Sequence, residues 1–309
     1  MTNISMLIVC LLAGMLLRIA RRVPDNAPAA INGFIVHVAL PALILGQIHG
    51  LRLTTNLLWP VSMPWLLFAL SATAFTVLAR LMKLPRSTAG ALIMTAGLAN
   101  TSFVGLPMIE TFYGGQQLST GILTDQLGTY LVLSTAGIAI ACLFSAGAAS
   151  RREVMLRIAT FPPLIALALA FLLAPVEYPA WFAGLLRRLG HILAPLALVS
   201  VGLQLRLDQL RGNRVLLGLD FKLVPGLLLL ALLYVGVLSR SGETTQVTLF
   251  ESAMGPQVGG AVVAMQYGLN PTLVTLMVGV GIALSFLTLP LWHLAMAAAQ
   301  ERTMSAHRP

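Results

Sequence analysis

The amino-acid sequence predicts an all-α integral membrane protein of ten transmembrane helices, arranged as a 5+5 inverted repeat in which helices 4 and 9 are broken near their middles. Three observations predict it: an oily composition, ten apolar runs of membrane-spanning length, and a self-similarity at half the chain length. Of 309 residues, 58% are apolar and 9% charged, and the mean hydropathy is +0.89. A soluble domain carries about a quarter charged residues, so no water-soluble fold hides this much apolar surface. The runs recur from Ile4 to Met296 without a polar linker. This predicts one membrane domain and no soluble module.

A bilayer core about 30 Å thick takes about 20 helical residues, and backbone facing lipid must pair within its own segment. Long apolar runs without barrel-like alternation are therefore helices. Span 1 (4–20) begins without basic residues and ends in Arg18, Arg21 and Arg22, the reverse of a secretory signal, so it reads as a retained helix. Span 2 (28–48) carries His37 and Pro41, and span 3 (58–82) ends at a basic turn with Arg80, Lys83 and Arg86. Span 4 (88–113) holds the first cluster of glycine, proline and polar residues, and span 5 (119–148) is one of the two longest. Span 6 (155–175) follows Arg151 and Arg152, and span 7 (180–204) repeats the His and Pro of span 2 as His191 and Pro195. Span 8 (215–237) has Asp220 and Lys222 near its start, read as interfacial and able to snorkel. Span 9 (244–267) holds the second glycine and proline cluster, and span 10 (272–298) is the other long one.

The connections after spans 1, 3, 5 and 7 collect twelve basic residues, the last of these connections contributing Arg206, Arg211 and Arg214. The opposite side has six: Arg52, Arg187, Arg188, Arg240, Arg302 and Arg308. The positive-inside rule then places the twelve in the cytoplasm and both termini outside, in a bacterial cytoplasmic (inner) membrane. The net charge of +9 thus reports topology, and no nucleic-acid partner is expected. Cys10 and Cys142 lie inside apolar segments without pairing or metal spacing. No metalloprotease, hydrolase, phosphate-loop or Cys/His motif occurs, so neither an enzyme nor a cofactor is expected.

A shift of 154 residues aligns two separate segments. Residues 37–53 fall on 191–207, matching His37/His191, Pro41/Pro195, Leu51/Leu205, Arg52/Arg206 and Leu53/Leu207. Residues 95–114 fall on 249–268, matching Ala99/Ala253, Val104/Val258, Gly105/Gly259, Tyr113/Tyr267 and Gly114/Gly268. The chain therefore divides into a first repeat, 1–150, and a second, 151–309. Five spans per half is an odd number, so the halves must be inverted, the plan of many alternating-access carriers.

In such carriers the binding site lies at helices interrupted at matching positions of the two halves. Asn100-Thr101-Ser102-Phe103-Val104-Gly105-Leu106-Pro107 and Met254-Gly255-Pro256-Gln257-Val258-Gly259-Gly260 fit that description. Proline removes a helix hydrogen bond, and the freed groups are tolerated in a membrane only where protein or water supplies partners. Unwound helix ends present amide N–H groups, which suit an anion. Asn100, Thr101, Ser102, Pro107, Met254, Gly255, Pro256 and Gln257 are the candidate substrate-binding residues. The alternative is a pair of kinked packing helices with small residues at their interfaces. Glu251, three residues before Met254, is the candidate for coupling to a proton or sodium ion, unless it lies at the aqueous end of its span. Asp125 is a weaker candidate, and His37 and His191 read as structural groups.

The segment LANTSFVGLPMIETFYG (98–114), with its Asn-x-x-Phe-x-Gly-x-Pro pattern on Asn100, Phe103, Gly105 and Pro107, resembles the auxin efflux carrier family. That family comprises the plant PIN-formed carriers and bacterial relatives known as malonate or other carboxylate permeases. Residues 251–270 and 193–205 resemble its ninth and seventh helices. The resemblance implies a scaffold part and a transport part, with helices 4 and 9 crossing at their breaks around the substrate. It also implies carriage of organic anions and a homodimer. Asn100 and Pro107 map to the first crossover and Pro256 to the second, whereas Met254 stands at the second-half counterpart of Asn100. The short connection Arg151-Arg152-Glu153 suits the compact bacterial type. The expected function is secondary active transport of a small organic anion, most simply a carboxylate, with membrane lipid as surroundings. The rivals are a passive anion channel, which would not support counterflow exchange, and a membrane sensor.

Overall fold

A computed structural model describes residues 2–48, 58–145, 150–204 and 213–306, and among these every regular element is a helix. Six helices are long and apolar enough to cross a membrane, or seven if one bent pair counts as a single span. In chain order the helices are α1 (Thr2–Ile19), α2 (Ala27–Gly46), α3 (Trp59–Leu81), α4 (Arg86–Gly97), α5 (Leu106–Tyr113) and α6 (Gly115–Phe144). They continue as α7 (Arg151–Ala159), α8 (Pro162–Leu172), α9 (Ala180–Leu203), α10 (Leu217–Val237), α11 (Glu243–Ser252), α12 (Val258–Gln266) and α13 (Pro271–Ala306). The six continuous spans are α2, α3, α6, α9, α10 and the Pro271–Ala298 part of α13.

The predicted bounds hold for most spans, and the departures have local causes. Span 6 is two helices bent by 53°: Ser150 caps α7 through a reciprocal capping box with Glu153, and Pro162-Pro163 starts α8 afresh. Arg152, Glu153 and Arg157 leave α7 polar and exposed, so the apolar part of that span is α8 alone. Span 8 is interrupted at Val224 (φ −130°, ψ −76°), where Pro225 has no N–H to continue the ladder. Lys222 corrects the sequence-based placement: it is fully buried within α10 rather than interfacial, while Asp220 is exposed. Spans 4 and 9 are each broken, as α4/α5 and α11/α12. Leu51, Arg52 and Leu53, their counterparts at 205–207, and also Arg211 and Arg308, lie outside the described residues.

Small residues set the helix crossings, as expected where apolar surface has no water to escape. α1 lies on the second half of α9 with Gly14 against Gly202; a Cβ on Gly14 would strike the Val199 carbonyl, and one on Gly202 the Leu11 carbonyl. Gly128 lets α6 pass Pro64 of α3, whose ring atoms would lie 2.7 and 3.0 Å from any Cβ there. α5 ends at Tyr113-Gly114 and α12 at Tyr267-Gly268, and both glycines have positive φ (80° and 70°). A side chain there is strained, so glycine is required at both positions.

α6 carries two π-helical stretches, Thr124–Thr129 and Leu133–Gly137. Wide turns of this kind leave backbone groups and side chains re-aimed, and they concentrate at functional sites. The first stretch faces the break between α4 and α5.

Candidate crossing site

The two interrupted spans meet at their breaks. α4 ends at Leu98, which is extended (φ −108°, ψ 122°), and Asn100 (φ −81°, ψ 66°) precedes a π-helical turn over Thr101–Gly105 that leads into α5. On the other side α11 ends at Ala253, and Gln257 (φ −69°, ψ 128°) precedes α12. Ala99 and Pro256 form an isolated antiparallel bridge. The Asn100 N–H donates to Gly255 O (2.9 Å), and the Gln257 N–H donates to Leu98 O (3.0 Å). Each break thus supplies partners for backbone groups that helix interruption frees in the other, which resolves the cost of unwound backbone in an apolar interior.

Glycines make the meeting possible. A Cβ on Gly255 would come within 3.0 Å of Gly281 O, and one on Gly260 within 2.7 Å of Leu98. A Cβ on Gly281 would lie 2.5 Å from the Pro256 ring, so α13 is the wall against which the second break rests.

Asn100, Thr101, Ser102, Met254, Gly255, Pro256 and Gln257 are all buried at or beside this crossing. Pro107 lies in the first turn of α5, two residues beyond the π-helical turn. The Asn100 side chain accepts from the Phe103 N–H (3.2 Å) and caps the turn, leaving its Nδ2 without a hydrogen-bond partner among the described residues. Gln257 Oε1 is likewise buried and without a partner among the described residues. Each break thus contributes one such buried polar atom, a donor from the first and an acceptor from the second, and unsatisfied polar atoms at this depth cost about 1–3 kcal/mol each.

Asp125 organises the first break. Its Oδ1 accepts from Thr101 Oγ1 (2.5 Å) and its Oδ2 from Ser102 Oγ (2.5 Å) and Gln126 Nε2 (2.8 Å). Thr101 also reaches Thr129 (3.1 Å). The sequence ranked Asp125 below Glu251, yet Asp125 is the residue that ties α6 to the crossing. Its signal was an acid in the middle of a long apolar run. Glu251 is fully buried, so the alternative of an aqueous span end is excluded for it. Its carboxylate lies against Gly121 and Gly105, with Oε1 3.2 and 3.5 Å from where their Cβ atoms would be. Neither oxygen meets hydrogen-bond geometry with a partner among the described residues, and the neighbouring Thr124 hydroxyl donates to Thr120 O (2.9 Å). His37 is exposed, its Nδ1 2.9 Å from Gly33 O, and His191 and Glu110 are exposed too. No cluster of three or more His, Cys, Asp or Glu suited to a metal occurs among the described residues.

Membrane carriers commonly build their binding sites from interrupted helices that meet within the bilayer, and this crossing has that form. The family comparison decides the matter: the profile described as membrane transport protein matches residues 1–293. The chain belongs to this transport family. This is the auxin efflux carrier family that the 98–114 segment resembles. An uncharacterized transporter of Methanothermobacter thermautotrophicus is 29% identical over 303 residues, covering 96% of this chain and 97% of its own. An uncharacterized transporter of Methanocaldococcus jannaschii is 23% identical over 303 residues, covering 94% and 97%. Both relatives are archaeal. A transport family of multi-pass membrane proteins is no enzyme class.

Proposed function

We propose that this protein is a secondary active transporter that moves a small organic anion, most simply a carboxylate, across the cytoplasmic membrane by alternating access. The observation that carries this reading is the mutual pairing of the two breaks, with Asn100 Nδ2 and Gln257 Oε1 buried and unpartnered beside it. α1, the bent α7/α8 pair and the two broken spans join the six continuous spans to make ten crossings, in two inverted halves over 1–150 and 151–309. The distribution of Lys and Arg supports termini on the outer side. Exposed apolar residues such as Leu16, Leu172, Trp181 and Leu291 face lipid, and part of that surface joins the two copies of a homodimer.

Asp125 and Glu251 share the crossing with the anion. Two carboxylates and a third negative charge coexist in a low-dielectric site only if charge is neutralised when substrate is present. Coupling to a proton or a sodium ion at Glu251 supplies that neutralisation, which makes the transporter a symporter or an exchanger rather than a channel.

The test is counterflow exchange of radiolabelled acetate, malonate and succinate in proteoliposomes, with pH and sodium varied. The wild type exchanges at least one of them, and Asn100→Ala lowers that exchange at least tenfold. Unchanged transport of every tested anion by Asn100→Ala refutes the site, and net flux without counterflow exchange refutes the carrier.

A further inference from the structure

We propose that Lys222 is the charge-selecting residue of the transport site, the group whose ammonium pairs with the carboxylate of the transported anion. The inference rests on the anion reading above and deepens it. Lys222 is fully buried, the only Lys or Arg among the described residues that is. Its Nζ has no hydrogen-bond partner among the described residues. An unpaired base within a membrane domain is costly and persists where it serves a partner. The protein's own buried acids lie elsewhere: Asp125 accepts from Thr101, Ser102 and Gln126, and Glu251 lies beside Gly105 and Gly121.

Neighbouring contacts fix the level of Lys222 in the fold. The Phe221 ring packs edge-on against Phe75 of α3 (5.2 Å), and Gly226 lies against Leu67 of the same helix. Ser71, between those two α3 residues, touches Gly97, the last residue of α4 before the first break. On the other flank Leu219, one turn before Lys222, reaches Gly281, on which the Pro256 ring rests. The helix that carries Lys222 therefore packs on α4, which leads into the first break, and on α13, which backs the second. α10 is itself interrupted two residues later, at Val224-Pro225, and Leu223 O turns aside to accept from Trp292 Nε1 (3.1 Å). A third helix interruption with a buried, unpaired cation beside it matches the way membrane carriers build ion and substrate sites.

The division of labour follows from the chemistry. Asn100 Nδ2 donates to a carboxylate as readily as to a neutral amide, while Gln257 Oε1 only accepts, from an N–H or O–H elsewhere on the ligand. Lys222 alone distinguishes the two, so the site takes carboxylate anions and rejects their amides.

The test uses full-length protein in lipid nanodiscs, with thermal unfolding measured against acetate, malonate and succinate and against acetamide, malonamide and succinamide. The wild type is stabilised by at least one acid and not by its amide. Lys222→Met keeps the bulk of the side chain and loses the acid response, with apparent affinity falling by about 30-fold or more, and Lys222→Arg restores most of it. The chain has one other lysine, Lys83, which is exposed. Acetic anhydride labelling read by mass spectrometry therefore gives a second measurement on unaltered protein: the bound acid lowers labelling of Lys222 several-fold and leaves Lys83 unchanged. If Lys222→Met binds the acid as tightly as wild type while Asn100→Ala loses it, or if labelling of Lys222 ignores the acid, this inference fails and the anion reading stands. If no acid stabilises the wild type, both fail.

Discussion

Gly281→Ala tests whether α13 holds the second break in place. The new Cβ would lie 2.5 and 3.0 Å from Pro256 Cδ and Cγ and 2.9 Å from Leu219 Cδ2. Leu219 can rotate, but a proline ring cannot, so the break itself must move. Overpacking of this kind costs about 1–3 kcal/mol. Alanine in a helix interior returns about 1 kcal/mol over glycine, which leaves a net loss of up to about 2 kcal/mol. Gly184→Ala is the control: it lies within α9 with nothing within 4 Å of its Cβ position, so only the propensity gain applies. Thermal unfolding in nanodiscs should therefore fall by a few degrees for Gly281→Ala and hold or rise for Gly184→Ala. Displacing Pro256 also loosens the pairs Asn100 N–H to Gly255 O and Gln257 N–H to Leu98 O. Hydrogen exchange should accelerate over 98–105 and 254–260 in the first variant alone. Equal stability of the two variants, with unchanged exchange at both breaks, would refute the claim that this contact positions the site.

Two further outcomes follow from the packing and the hydrogen bonds. Asp125→Ala removes the acceptor shared by Thr101 and Ser102, lowers stability by about 1–3 kcal/mol and speeds hydrogen exchange over 98–105, whereas Asp125→Asn keeps one acceptor and loses less; protection of 98–105 identical to wild type in the alanine variant refutes it. Gly14→Val drives a side chain into the Val199 carbonyl of α9 and lowers the unfolding temperature by several degrees, a shift absent for Gly33→Ala, where nothing lies within 4 Å.

Much of this fold was legible because its causes are local. Apolar runs, proline and glycine announce membrane helices and their interruptions, and the breaks at 98–100 and 253–257 fall where Asn100, Gly255 and Pro256 required. What stayed hidden depends on neighbours from distant parts of the chain. Asp125 matters because Thr101 and Ser102 turn towards it, and Lys222 is buried because α3, α4 and α13 surround the middle of α10. Hydropathy set Asp125 inside span 5 but put Lys222 at the interface, and it could say nothing of their partners. The bend after α7 was missed for a different reason: its cause is local, Pro162-Pro163 starting a new helix, and an average over apolar residues does not register it.

The proposed repeat is symmetric in its frame and asymmetric in its charges. At the offset of 154, Tyr113-Gly114 matches Tyr267-Gly268, and both glycines adopt the positive φ that only glycine takes without strain. The buried ionisable groups have no such counterparts: Asp125 corresponds to Gly279, Glu251 to Gly97 and Lys222 to Phe68. A frame with matched halves gives an alternating carrier two end states of similar energy, because each half can adopt the conformation of the other. Unmatched charges are what make those states differ for an ion or an anion. A ligand shifts such an equilibrium only by its differential affinity for the two states. The residues that set the direction and coupling of transport should therefore be sought among Asp125, Lys222 and Glu251, where the two halves disagree, rather than among the positions they share.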